Sequence, residues 1–371
     1  MKKHKCLILT SLILISLHLS AQDTASVRQR ENPVSFEVSY SGDLMGNVAG
    51  GIKQGGTYLG YAQLGLLLDF EKMGAWKGGV LCIKGGNTHG GTPSETFIGD
   101  FQSADNIEAG NHTFLQELWF SQTIWQFELK AGLQDFNADF TACESAALFV
   151  NSSFGIHAVL SDHTTLPIFP IMGLGANLRW NFRNDMSWIV GAYDCPYDFE
   201  ENPYNVHWKF TKEKGGILAT EYQYAPTIKN ELQGQYQVGF TYETAGRNWG
   251  VYLNASQAVW KRNQRTLNLF VMSALERHLS EHMYFQISGG ASMTGVFSKR
   301  GKDVLGIACT SAMSSNKLEH ETAIELTYQY QIHEFIYLQP DIQYIINPSG
   351  TEEELDNALM LLLRLKIEFN R

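Results

Sequence analysis

Apolar and polar residues alternate along the last segment of the chain, which reads LMLLLRLKIEFN. Every second position from Leu359 to Phe369 is apolar, whereas Arg364, Lys366 and Glu368 lie between them. Successive side chains of a β-strand point to opposite faces, so this pattern predicts a strand whose two faces meet different solvents. A soluble sheet would place its charged face in bulk water. An outer-membrane barrel would place its apolar face in lipid and its charged face in a hydrated lumen.

The same alternation recurs along the chain, and helical periodicity is nearly absent. Segments of about 8–12 residues are separated by clusters of Gly, Asn, Asp and Pro, which are typical of turns. The alternation predicts roughly sixteen strands, at residues 35–42, 57–70, 78–86, 113–124, 127–134, 172–182, 187–194, 215–224, 235–243, 248–260, 266–275, 283–293, 304–312, 321–332, 336–346 and the final segment.

The charged face of these strands decides between the two kinds of sheet. Burying unpaired charges strand after strand would cost several kcal/mol per group, so that face must be hydrated. The chain offers no helices or second apolar layer to cover a large flat sheet, and closure into a barrel removes the sheet edges. We therefore predict an all-β fold, a transmembrane antiparallel β-barrel of about sixteen strands of the outer-membrane porin type, formed by residues 34–371 as one domain.

Aromatic residues, which make up 12% of the chain, support this prediction because many of them lie at strand ends. Membrane barrels carry girdles of aromatic rings at the depth of the lipid headgroups. The predicted girdle residues are Tyr58, Phe70, Trp125, Phe182, Trp188, Trp249, Trp260, Tyr330, Tyr344 and Phe369.

The N-terminal segment predicts export. Residues 1–21 combine three lysines, an apolar stretch and a small-residue end at Ser20-Ala21, which is the pattern of a secretory signal peptide. Polar residues 22–33 are expected to form a flexible lead-in. The expected location is the bacterial outer membrane, with Phe369 near the C-terminus as the aromatic signal for the outer-membrane assembly machinery.

Charge and cysteine content exclude several classes of function. The formal charge is −10, or −13 without the three lysines of the signal segment, which argues against a nucleic-acid partner. The four cysteines after the signal segment are far apart and form no C-x-x-C pair, so neither a metal cluster nor a dense disulfide framework is expected.

The neighbouring Ser, Asp and His of SDHTT (161–165) do not make a catalytic triad, which requires convergence in space. No catalytic residue, metal or cofactor is predicted.

Several longer segments resemble the carbohydrate-selective porin (OprB) family. The resemblance is carried by GGTYLGYAQLGLLLDFEKMGAWKGGVLCIKGGNTHGGTPS (55–94), DFQSADNIEA (100–109), LQELWFSQ (115–122), LKAGLQDFNADF (129–140), ALFVNSSFGI (148–156) and AIELTYQYQIHEFIYLQPDIQYIINPSG (323–350). It implies a sixteen-stranded outer-membrane channel that passes monosaccharides, such as glucose, and other small carbohydrates.

A sugar channel needs a constriction, side chains that replace the hydration of the sugar, and weak binding at each site. The alternation places these candidate wall residues on the lumen face: Glu117, Trp119, Lys130, Gln134, Arg179, Glu325, Asp341 and Arg364. For Glu117 the choice of face stays open, because its strand also carries the polar Gln116. Two long loops, 85–97 and 135–165, are expected to narrow the pore and offer Asn87, His89, Asp135 and Asn151. The constriction is predicted at Asn87, His89, Glu117, Asp135 and Arg179. Alternatively, these loops make only barrel-wall or extracellular contacts.

Other readings of the barrel stay open at this point. The main alternative is a barrel with a plugged lumen that serves as a surface binding protein or a lipid-acting enzyme, although no convincing Ser–His pair faces the lipid. The expected partners are small carbohydrates, outer-membrane lipid and lipopolysaccharide, and the assembly machinery. The barrel is expected to be a monomer or a homotrimer, and the sequence does not identify the preferred sugar.

Overall fold

The computed structural model describes residues 32–163, 166–208, 211, 213–229, 231–277, 283–298, 300–314, 320–351 and 353–370. The predicted signal peptide and residues 22–31 of the lead-in lie outside the described residues. Among those described, no helix combines the length and the apolar composition needed to cross a membrane.

Sixteen antiparallel strands form the wall of a closed barrel, and each one pairs with its neighbour in the chain. The ring closes because the first strand also pairs with the last, for example Val38 with Phe369 and Asp43 with Arg364. A seventeenth strand of two residues, β9, extends the connection between two wall strands. The strands are β1 (Val34–Ala49), β2 (Gly55–Asp69), β3 (Gly79–Gly90), β4 (His112–Ile124), β5 (Phe127–Gln134), β6 (Gly173–Arg183), β7 (Met186–Asp194), β8 (Gly216–Tyr224), β9 (Thr227–Ile228), β10 (Leu232–Glu243), β11 (Asn248–Arg262), β12 (Arg265–Glu276), β13 (Met283–Thr294), β14 (Asp303–Ser314), β15 (His320–His333), β16 (Ile336–Ile346) and β17 (Ala358–Asn370).

The outer face of the barrel carries the predicted apolar residues. Along β17, Leu361, Leu363, Leu365 and Ile367 are exposed, whereas Met360 and Leu362 at the alternate positions are buried. Tyr58, Trp188, Trp249, Trp260, Tyr330, Tyr344 and Phe369 of the predicted girdle are exposed large side chains of wall strands, and Trp125 is exposed at a turn. The predicted alternation and the predicted closed barrel are therefore confirmed.

The two ends of the barrel differ in the length of their connections. Strands at the end where β1 begins are joined by short turns, such as 125–126, 184–185 and 263–264. The opposite end carries the long connections 91–111, 135–172 and 195–215. Bacterial barrels place short turns in the periplasm and long loops outside the cell, so these long connections form the extracellular end.

The connection 135–172, here called the inner loop, folds into the lumen. It contains two short helices, α1 (Phe136–Asp139) and α2 (Ala158–His163), and a 3-10 turn at Ser152–Phe154. Its apolar side chains pack in two clusters against apolar inner-face residues of strands between β7 and β14. The inner face is therefore not uniformly hydrated, because on this side of the barrel it is covered by the chain itself.

Two wall glycines let the inner loop approach the barrel closely. A Cβ atom at Gly306 would lie 2.8 Å from Cζ of Phe149, and one at Gly250 would lie 2.4 Å from Cδ2 of Leu160. Any larger residue at these positions would displace the loop. Most of the space between the loop and this part of the wall is thus filled by close packing.

The lipid-facing character of the outer surface makes a direct prediction for Leu363, which is 40% exposed on β17. Leu363→Arg should lower the free energy of unfolding by about 2–4 kcal/mol, because a charge near the bilayer midplane is poorly solvated. Urea titration of the barrel in lipid vesicles measures this loss, and Leu363→Val serves as the control. Equal stability of the Arg variant and the wild type would contradict a hydrocarbon-facing surface.

Candidate functional site

Buried wall glutamates hold the loops in the lumen through backbone N–H groups. Glu321 accepts hydrogen bonds from the amides of Phe101 (2.7 Å), Gln102 (2.8 Å) and Ser349 (2.8 Å). The Glu321 side chain therefore ties two extracellular loops to β15. Hydrogen bonds to a carboxylate are stronger than those between neutral groups, so this one residue fixes the inward course of residues 99–102.

Glu221 performs the same task for the inner loop. Its carboxylate accepts hydrogen bonds from the Thr141 amide at 2.8 Å and the Tyr252 hydroxyl at 2.6 Å. Its other oxygen accepts from the side-chain amides of Gln223 (2.5 Å) and Gln237 (3.2 Å). Four donors surround this fully buried group, which compensates for its loss of water.

A third set of contacts, here called the anchor cluster, consists of Asp43, Asp105, Asn151, Glu325, Gln343 and Arg364. The Arg364 guanidinium lies 2.7 Å from Asp43 and 3.0 Å from Asp105, and so joins β1, β17 and the loop 91–111. Glu325 accepts from the amides of Val150 (2.6 Å) and Asn151 (3.0 Å). The Asn151 side chain then donates to Gln343 at 3.2 Å.

The anchor cluster contains three sequence-predicted site residues, Asn151, Glu325 and Arg364, and a fourth, Asp341, lies at its edge. Asp341 accepts a hydrogen bond from Gln343 at 3.2 Å. All four are buried, with exposures between 0% and 8%. Their contacts are mainly with loop residues, so their placement supports loop anchoring rather than direct contact with a solute.

Ionisable groups within the loops have strongly shifted pKa values because they are buried. Burial raises the pKa of Glu108 to about 7 and that of Asp135 to about 7. Burial and the neighbouring Asp43 carboxylate raise the pKa of Asp105, and Arg364 opposes that rise. Burial lowers the pKa of His157 to about 4, so this side chain is neutral at physiological pH. The loops are thus held in the lumen with few unpaired charges.

A second chain of polar side chains runs along the inner faces of β1, β3 and β4. The ammonium of Lys84 lies 3.8 Å from Glu37 and 3.1 Å from Glu117. Glu117 also accepts a hydrogen bond from the indole N–H of Trp119 at 2.5 Å. A register shift between Lys84 and Gly85 explains why both Gln116 and Glu117 turn inward.

The polar chain continues across β5, β6 and the start of the inner loop. The Lys130 ammonium lies 4.9 Å above the Trp119 ring and forms an ion pair with Asp139. Asp139 lies 3.6 Å from Arg179, which donates to Gln223 at 2.6 Å. We call Glu37, Lys84, Glu117, Lys130, Asp139 and Arg179 the channel cluster. It brings together cationic donors and anionic acceptors of β1, β3, β4, β5, β6 and the start of the inner loop.

The remaining sequence-predicted residues near the channel cluster support its geometry. Gln134 donates to the Gly175 carbonyl at 2.7 Å and accepts from Asn177 at 2.9 Å. Asp135 accepts from the Asn137 amide at 2.9 Å and so caps helix α1. Both residues thus stabilise the point where the chain leaves β5 and enters the lumen.

The prediction that Asn87 and His89 line the constriction is wrong. Both belong to β3 rather than to a loop, because strand pairing continues to Gly90. In the pairing of β3 with β2, Ile83 lies opposite Leu66 and Asn87 lies opposite Ala62. Residues 83 and 87 are an even number of positions apart on the strand, so Asn87 shares the outer face with the apolar Ile83. His89 lies 3.1 Å from the Tyr40 hydroxyl, also on that face. The reason is that β3 is longer than its apolar residues suggested.

Several residues of the site were absent from the sequence prediction, among them Lys84, Asp139 and Glu221. Lys84 lies on the inner face of β3, and its alternation with the apolar Ile83 in the sequence could have identified it as a lumen residue. Asp139 and Glu221 gave no such signal, because their importance depends on contacts between the inner loop and distant strands. Within the described part of the chain, no group of three or more His, Cys, Asp or Glu residues is arranged to hold a metal ion.

Comparison with known proteins gives a consistent set of relatives. Residues 53–247 and 241–369 match the profile of the carbohydrate-selective porin, OprB family. Porin B of Pseudomonas aeruginosa is 23% identical, with 91% of this chain and 88% of that protein covered. Putative porin QuiX of Acinetobacter baylyi is 22% identical, with coverages of 90% and 89%. The high-pH structure of Pseudomonas putida OprB has a TM-score of 0.82 at 21% identity and covers 91% of this chain and 94% of that one.

The four donors around Glu221 generate a prediction for the inner loop. In Glu221→Gln, the new side-chain NH2 faces hydrogen-bond donors, so the region around Thr141 should loosen by about 1–3 kcal/mol. Cys143 is a buried free thiol two residues away, and its reaction with a thiol reagent reports this opening. Labelling of Cys143 should accelerate at least several-fold.

The exposed Glu200 of the loop 195–215 provides the matched control, because its side chain lies in another loop. Glu200→Gln should leave the labelling rate of Cys143 unchanged. Equal rates in Glu221→Gln and the wild type would show that Glu221 does not hold the inner loop.

Proposed function

The chain belongs to the carbohydrate-selective porin OprB family and is a sugar-selective porin of the bacterial outer membrane, and on this premise we propose that it passes monosaccharides along the channel cluster. The observation that carries this proposal is the continuous chain of charged and aromatic side chains from Glu37 to Arg179. We also propose that residues 1–21 are the signal peptide that directs its export.

The narrow width of the proposed pathway favours small solutes. The inner loop fills the lumen next to β7 to β14. The loop 91–111 packs against β1, β2 and β15 to β17, so we place the passage beside the channel cluster. Solvent reaches this side, since the side chains of Glu37 and Arg179 are each 17% exposed and that of Lys366 is 31% exposed. A pathway narrowed in this way favours a single sugar ring over longer chains.

The chemistry of the channel cluster supports a neutral, hydroxyl-rich solute. Arg179 offers donors and Glu37 offers acceptors, their side chains are the partly exposed members of the cluster, and a sugar hydroxyl can engage either kind of group. Because each charge already has a partner, a solute gains little from any one contact. Weak binding at several sites is what allows rapid release.

A plugged lumen is the second candidate, because the inner loop and the loop 91–111 both occupy the barrel interior. Insertion into planar bilayers distinguishes the two. An open pathway gives discrete conductance steps, whereas a plugged barrel binds a ligand without conducting ions.

We predict that Glu117→Gln lowers glucose permeation about fivefold, which corresponds to about 1 kcal/mol, the typical net contribution of one hydrogen bond. The substitution keeps the shape of the side chain and an oxygen for the Trp119 N–H, but removes the charge that faces Lys84. Liposome swelling in glucose measures the rate. Glu368→Gln, on the lumen face of β17 with 27% exposure of its side chain, is the control. Equal swelling rates for Glu117→Gln and the wild type would remove Glu117 from the pathway.

A further inference from the structure

The strand pairing of the wall is interrupted where β5 leaves it. Strand β5 pairs with β6 along its whole length, up to Gln134 opposite Gly173. It pairs with β4 only from Leu118 onward, because the chain after Gln134 turns into the lumen. Residues 112–117 of β4 therefore have no β5 residue beside them, and a gap in the strand pairing lies between this part of β4 and the start of β6.

The loop 195–215 fills this gap with its residues 202–206, here called the wall insert. The Leu115 amide donates to the Tyr204 carbonyl at 3.0 Å. The Asn205 side-chain amide donates to the carbonyl of Leu115 at 3.2 Å and to that of Met172, the residue before β6, at 3.1 Å. One side chain thus joins the two sides of the gap, and both backbone polar groups of Leu115 have partners.

The backbone of the wall insert is shaped to present Asn205. This residue has a φ of 53°, in the left-handed region that asparagine adopts more readily than most residues. Its amide donates to the Asn202 carbonyl at 3.0 Å, and the Asn202 side chain accepts from the amides of Val206 and His207 at 3.0 and 3.1 Å. Asn202 and Asn205 are buried, whereas Tyr204 and Val206 are exposed. The two asparagine side chains are therefore enclosed by the wall.

The position of the gap connects the wall insert with the channel cluster. Leu115 lies two residues before Glu117 on β4, and Phe199 of the same loop stacks on His112 of β4 with 3.9 Å between ring centroids. A loop released from Leu115 would leave a wider opening next to Glu117. Pore width is one of the properties that decide which solutes a channel passes.

We propose that Asn205 is a positioning residue that takes the place of the missing length of β5, holds the loop 195–215 against β4 and so sets the width of the entrance to the channel cluster. This inference rests on the proposed sugar pathway. Without the Asn205 amide, the carbonyls of Leu115 and Met172 lose a partner in a wall that separates lumen from membrane, where unpaired backbone groups are costly.

The test is Asn205→Gly, which tolerates the left-handed backbone but removes the side-chain amide. Hydrogen exchange of folded barrels should become about tenfold faster at the amides of residues 113–117, because the wall insert loses two hydrogen bonds. It should stay unchanged at residues 118–124, which pair with β5. In liposome swelling, the ratio of sucrose to glucose permeation should rise about threefold, because a wider entrance relaxes the size limit. Heat-modifiable gel mobility verifies that each variant is folded.

Asn111→Gly is the matched control. The Asn111 side chain also binds both backbone groups of one residue, since it accepts from the Gly90 amide at 3.1 Å and donates to the Gly90 carbonyl at 3.3 Å. It lies at the end of β3 and β4, which pair directly with each other up to Thr88 and His112. Asn111→Gly should leave the exchange of the Leu115 amide and the sucrose-to-glucose ratio unchanged.

The outcomes separate the wall insert from the sugar pathway. Unchanged exchange at Leu115 in Asn205→Gly would overturn the role of Asn205, and faster exchange with an unchanged ratio would overturn its control of the entrance. An equal rise of the ratio in Asn111→Gly would also overturn it, because any loosened loop would then have the same effect. A wild-type barrel that passes glycerol but no glucose would instead defeat the proposed function, and the exchange measurement would still decide whether Asn205 closes the wall.

Discussion

The pairing of β1 with β17 is the interaction on which the rest of the structure depends. A backbone N–H or C=O group exposed to hydrocarbon has no water to bond, so a sheet in a membrane must close on itself. Here closure joins Val38 to Phe369 and Asp43 to Arg364. The same strand pair that removes the edges also forms an ion pair inside the lumen, at 2.7 Å.

Closure of the barrel creates a second constraint, since a sixteen-stranded cylinder has an interior wider than one sugar. The chain narrows it with its own loops, and buried carboxylates direct them. Glu221 and Glu321 each accept hydrogen bonds from loop amides. Because loop amides would otherwise be buried without partners, these carboxylates determine both the course of the loops and the side of the lumen that stays hydrated.

On the pathway proposed here, carbohydrate selectivity follows from the polar surfaces that this arrangement leaves partly exposed. One side of the lumen is closed by apolar packing around Phe149 and Leu160. The inner faces of β1 and β3 to β6 carry paired charges, and the partly exposed Glu37 and Arg179 among them offer hydrogen bonds without a strong net attraction for ions. A neutral solute with many hydroxyl groups is well matched to such a wall, because both donors and acceptors are within its reach.

The sequence by itself determined the barrel, because a strand that separates lipid from water must alternate at every second residue, as Leu361, Leu363 and Arg364 do. It also identified Arg179 as a lumen residue for the same reason, whereas the face of Glu117 depended on the register shift in β4. Only the tertiary structure decided where β3 ends, and hence that His89 faces outward. It alone decided that Glu221 holds the inner loop. Periodicity reports the face of a strand, whereas loop positions depend on contacts between residues far apart in the chain.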